Sequence, residues 1–184
     1  IVKRPDGVET FYLKDPNGLQ FQVVQSDQWF CGYKHINGGV IGCSIGVSDI
    51  DKARVLYSDL LGYSEVIYDE TGTFDDWATM PGGHGKFRRV LLGQKAPVLG
   101  NFAAVSGTTV IELVQVLDRE PQKVYKDRIW GDVGFVHLGF DVRGMVEIGK
   151  KLDEKGYGFT CDTNDALTMG ENTLVHCTYI EADD

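Results

Sequence analysis

Gly134–Val142 reads GFVHLGFDV, and on an extended backbone its side chains alternate between two faces. Val136, Leu138, Phe140 and Val142 point one way, His137, Gly139 and Asp141 the other. The period then changes: over Gly144–Lys155, Met145, Ile148, Gly149 and Leu152 recur at helical spacing, and Gly156 closes the stretch. Tyr157–Cys161 returns to strand character, so the unit is strand, helix, strand, with a histidine on the strand face away from the apolar run.

The same unit occurs earlier in the chain. Val40–Val47 (VIGCSIGV) is strand-like, and Ser48 with Asp51 three residues on is a helix-start signature. Ile50, Ala53, Leu56, Tyr57, Leu60 and Leu61 form a helical stripe that Gly62 stops, and Tyr63–Tyr68 is a strand. Asp69–Gly85 is irregular and ends in Pro81-Gly82-Gly83-His84-Gly85, which lacks the phosphate-loop spacing and reads as a mobile flap. Phe87–Leu92 and Thr108–Val116 (TTVIELVQV) complete the copy, with Glu112 between Ile111 and Leu113.

At a constant offset Ile41–Val47 falls on Val136–Val142, and Gly62-Tyr63 meets Gly156-Tyr157 after a one-residue slip, so the chain holds two βαβββ copies. The opening hairpin, Thr10–Lys14 and Leu19–Val24 around Asp15-Pro16-Asn17-Gly18, matches the end of a copy, with Gln22 where Glu112 stands. The expected division is a tail hairpin of a preceding module at 1–27, a linker at 28–38, a complete module at 39–118, a connector at 119–133, and a second module at 134–184 that stops before its last strand.

Composition narrows the function classes. The 184 residues carry 18 Lys and Arg against 27 Asp and Glu, a formal net charge of −9, and the basic residues are scattered, which argues against a nucleic-acid partner. No apolar run is long enough for a membrane span. The four cysteines contain no CxxC and read as free, mostly buried thiols, which makes a cytoplasmic protein the default expectation.

The strings GVSDIDKARVLYSDLLGY, TTVIELVQV, GFVHLGFDV and YIEADD resemble the vicinal oxygen chelate superfamily, the group of glyoxalase I, extradiol dioxygenases and bleomycin-resistance proteins. The resemblance implies an α+β, glyoxalase-like fold: paired βαβββ modules forming curved mixed sheets around a cleft that usually holds a divalent metal. It puts ligands on the first and last strands of each module. Carried over, it offers Gly42 where a histidine is common, Glu112 at a carboxylate position and His137 at a histidine position.

Glu112 and His137 are thus the expected metal ligands, for Zn, Ni, Mn or Fe, with Glu112 as ligand or catalytic base. Against this stands the commoner use of a lone strand histidine as a hydrogen-bonded structural group. His176, Tyr179, Arg89 and Trp77 are further candidates for the cleft, although solvated surface is the blander account of Arg88 and Arg89. The implied function is a metal-dependent lyase or isomerase acting on a small oxygen-rich substrate. The alternative is a non-catalytic small-molecule binder in which aromatic residues such as Trp77 or Trp130 hold the ligand. The extradiol dioxygenase version is disfavoured by Gly42. A small molecule is the expected partner, with a homodimer the expected assembly.

Overall fold

The computed structural model describes residues 1–27, 36, 38–95, 107–123, 125–129, 131–162, 167–168 and 174–182. Most of the expected linker at 28–38, and Trp130, lie outside the described residues. The chain is a mixed α+β structure dominated by sheets. Among the described residues no helix is long and apolar enough to cross a membrane.

The opening segment forms a three-stranded antiparallel sheet of β1 (Val2–Lys3), β2 (Glu9–Lys14) and β3 (Gln20–Val24). Its hairpin turn is built as the sequence implies: Asp15 accepts from the backbone N–H groups of Asn17 and Leu19, and Gly18 takes a φ of 94°. Tyr12 and Gln22 are direct cross-strand partners on one face. Phe11 and Val23, and Leu13 and Phe21, pair on the other.

The complete copy follows the expected order: β4 (Gly42–Gly46), α1 (Ile50–Arg54), β5 (Glu65–Gly72), β6 (Phe87–Gly93) and β7 (Val110–Val116). These strands form one sheet in the order β4-β7-β6-β5, with β4 and β7 parallel and the other pairs antiparallel. The helix cap is Asp49 rather than Ser48, its carboxylate accepting from the N–H groups of Asp51 and Lys52. Past Arg54 the helix widens into a π-helical turn, Val55–Leu60, closed by the bond from Leu61 N to Leu56 O. The glycine run after β5 is a series of tight turns, not an open flap. Met80 N bonds Trp77 O at 2.8 Å and Gly83 N bonds Met80 O at 2.9 Å, and a Cβ at Gly83 would run into the carbonyl of Trp77.

Alternation along the central strands decides which residues meet the helices. Val90 and Leu92 of β6, with Ile111 and Leu113 of β7, join Ile50, Leu56 and Tyr57 in the apolar core. Each such side chain contributes roughly 1.5–3 kcal/mol when fully buried. The intervening residues, Arg89, Leu91 and Glu112, face the opposite way, toward the three-stranded sheet.

The second copy departs from expectation in its first strand. Its helix α2 (Met145–Glu154) and the strands β8 (Phe159–Asp162) and β11 (Thr178–Ile180) form, with the small pair β9 (Leu167–Thr168) and β10 (Leu174–Val175) between them. Val136–Val142, however, makes no ladder. In the first copy the corresponding strand, β4, pairs in parallel with β7, and among the described residues no strand takes that place beside Val136–Val142. The helical stretches of the two copies share one core. Leu152 and Tyr157 enter the same core as Leu56 and Tyr57, Tyr157 OH reaches Lys52 O at 3.5 Å, and Phe140 meets Tyr63 edge-on at 6.1 Å. The four-stranded sheet thus carries the three-stranded sheet's network on one face and the helical core on the other.

Candidate functional site

The polar centre of the molecule is Glu112 and what surrounds it. Ser44, Glu112, Leu91 and Tyr68 are successive Cα partners across β4, β7, β6 and β5, and so stand in one row on the sheet face away from the helices. Tyr68 reaches that row through a bulge: pairing steps from Val66 opposite Leu92 to Tyr68 opposite Leu91, which leaves Ile67 as the extra residue. Glu112 Oε1 accepts from Tyr68 OH at 2.6 Å and from Arg89 Nε at 2.7 Å, and Oε2 accepts from Ser44 Oγ at 2.6 Å.

Arg89 is the hub. Its side chain is 0 % exposed, with Nη1 bonded to the Asp76 carboxylate at 2.8 and 3.0 Å and Nε bonded to Glu112. Its guanidinium lies over the ring of Trp77 at 3.9 Å and near that of Phe74 at 4.7 Å. A planar fork with donors on several edges can serve two carboxylates and stack on an aromatic face at once, which lysine cannot. Burial works against the charge on Arg89, but Glu112 and Asp76 outweigh it and raise its pKa above the ordinary value.

The network extends into the three-stranded sheet. Tyr12 OH donates to Asp76 Oδ2 at 3.1 Å and accepts from Trp77 Nε1 and from Gln22 Nε2, each at 2.9 Å. Gln22 and Glu112, matched in the repeat, thus stand at opposite ends of one buried polar chain that joins the two sheets. Burial foremost, with the adjacent carboxylates of Asp76 and Glu112, holds the hydroxyls of Tyr12 and Tyr68 protonated beyond the normal phenol range. A raised folded-state pKa contributes stability that is whole below the unfolded value of about 10 and is lost as pH rises through the folded one. Stability is expected to hold to about pH 10 and then fall, with a shallower alkaline decline in Tyr68→Phe than in the wild type when urea midpoints are measured from pH 8 to 11.

The sequence-expected residues separate into two groups. Glu112, Arg89 and Trp77 come together between the sheets, and Arg89 is buried there, whereas Arg88 is the surface residue, bridging Asp51 and Asp69. His137, Tyr179 and His176 belong to the second copy, where the exposed His137 ring meets Tyr179 edge-on at 5.8 Å. Ile180 and Phe140, their neighbours in strand alternation, pack on the helical core. Glu112 is buried among Ser44, Tyr68 and Arg89, whereas His137 is exposed beside Tyr179. Asp76, Tyr12, Tyr68 and Ser44 escaped the sequence reading. The signal available for them was Glu112 itself, because a carboxylate amid apolar neighbours on a central strand requires buried donors.

As a metal ligand, Glu112 does not fit. Oε1 already accepts two hydrogen bonds and Oε2 one, and a dication placed about 4 Å from the Arg89 charge would meet repulsion of roughly 8 kcal/mol at an effective dielectric constant of 20. Gly42, the companion position, has no room for a side chain, since a Cβ there would collide with the carbonyl of Val110. Among the described residues no three His, Cys, Asp or Glu side chains converge as a metal site. A groove of about 360 Å³ does run beside the centre, between the end of β1 and the β5 edge, lined by Lys3, Arg4, Glu70, Thr73, Phe74 and Asp76 among others.

Comparison with protein-family models, curated proteins and solved structures gives no match for this chain.

Proposed function

We propose that this chain is part of a protein of paired βαβββ modules, similar to the small-molecule-binding members of the vicinal oxygen chelate superfamily, that holds a small polar ligand without using Glu112 as a metal ligand or base. The observation that carries this reading is the ion pair of buried Glu112 with the Arg89 guanidinium, with Tyr68 and Ser44 as further donors to the carboxylate. A general base needs a lone pair facing substrate, and a ligand needs one facing the ion. The groove at Lys3 and Glu70 is the natural seat for the small molecule, since it offers an ammonium, carboxylates, hydroxyls and the Phe74 ring in one place.

The test is elemental analysis of wild type, Glu112→Gln and His137→Ala, each purified without added metal. Equal, substoichiometric metal in wild type and Glu112→Gln is expected. One metal per chain in the wild type, lost in both variants, would return the lyase or isomerase reading with a divalent cofactor. A thermal-shift screen of small polar molecules then locates the ligand, and Lys3→Glu should weaken any hit that binds in the groove.

A further inference from the structure

We infer that the space between the two sheets is a cation site filled by the protein's own guanidinium, and that Arg89 stands there as a resident counter-ion. The lining is what a cation site requires. Two buried carboxylates, Asp76 at 3 % exposure and Glu112 at 4 %, converge on one point from different elements, the short turn Asp75–Trp77 and β7. Each carboxylate also accepts from a phenol, Tyr12 or Tyr68, and an aromatic face from Trp77 closes the site. One positive charge supplied from β6 meets two negative ones, and the hydroxyls of Tyr12, Tyr68 and Ser44 stabilise the remaining negative charge by hydrogen bonds. The two ends of the network belong to different sheets, so the cation also fastens the sheets to each other. Arg89 has this role whatever small molecule the protein binds.

The consequence is that deleting the side chain should leave a cavity that selects planar cations. In Arg89→Ala, guanidinium chloride titrated from zero to about 20 mM at constant ionic strength should raise the melting temperature in a saturable way and bind with a stoichiometry near one by calorimetry. Wild type should show neither effect, and NaCl or urea at the same concentrations should not substitute. Zn²⁺ and Mn²⁺ are tested in parallel; preference for either over guanidinium would mean that the cavity does not read the planar fork and would overturn the assignment. So would a folded Arg89→Ala that ignores guanidinium. If Arg89→Ala fails to fold in buffer, refolding yield becomes the readout, and recovery with guanidinium but not with NaCl is the supporting result. The triple variant Arg89→Met, Asp76→Asn, Glu112→Gln removes all three charges and should be more stable than Arg89→Met alone. Equal stability of those two would show that Arg89 fills space rather than balances charge.

Discussion

Arg89→Ala should cost about 3–5 kcal/mol, because it leaves Glu112 and Asp76 buried with no counter-charge. A domain of ordinary stability holds only about 5–15 kcal/mol in reserve, so the variant is expected near the edge of folding at room temperature. Two losses act together: the charge-assisted bonds to both carboxylates, and the guanidinium face packed on Trp77 at 3.9 Å. Arg89→Lys should recover only part of the loss, since a single ammonium cannot reach two carboxylates on different elements and stack on the ring. Urea midpoints for the three proteins measure this directly. A midpoint for Arg89→Ala within about 1 kcal/mol of wild type would mean that the buried network is not formed in solution.

Deleting residues 1–25 should be nearly as damaging, although the segment is only a hairpin with one short added strand. The deletion removes Tyr12 and Gln22, takes a hydrogen bond from Asp76 and one from Trp77, and opens the Arg89 centre to water on the face that the sheet covers. A hydrogen bond to a charged group contributes about 1.5–3 kcal/mol, and the lost burial adds to it, so a drop of at least about 3 kcal/mol is expected. Tyr12→Phe isolates the hydroxyl and should cost about 1–3 kcal/mol. Circular dichroism during urea unfolding of residues 26–184 checks the first expectation. A curve superimposable on that of the intact chain would make the opening sheet an appendage rather than half of the buried centre.

Much of the local structure was legible because it depends on near neighbours. The Asp15–Gly18 turn, the alternation of LQFQVV and VIELVQV, and the stripe from Ile50 to Leu61 each fix a short element through period and turn chemistry. The match of Gln22 to Glu112 also held a clue to the pairing: those two positions close on one network, so the opening hairpin, not the second copy, is the partner across the polar face. Arg88 and Arg89 show where sequence stops being informative. They are adjacent and chemically identical, yet one bridges Asp51 and Asp69 at the surface and the other is the most deeply buried charge described. Strand alternation says that they face opposite ways, but it does not say which way leads to water.

By itself the sequence determined the opening hairpin, the order of strands and helices over residues 42–116, and the presence of an acid on a central strand, since all three follow from patterns within a few residues. Only the tertiary structure decided what that acid does. The partners of Glu112 lie 23, 44 and 68 positions away in the chain, and its pairing with Arg89 rests on which side chains those separations bring within 3 Å. It also decided that Val136–Val142 forms no ladder here, because a strand is completed by its neighbour's backbone and not by its own residues. Likewise, Leu152 and Tyr157 came to share one apolar core with Leu56 and Tyr57, an association that no periodicity within either helix specifies.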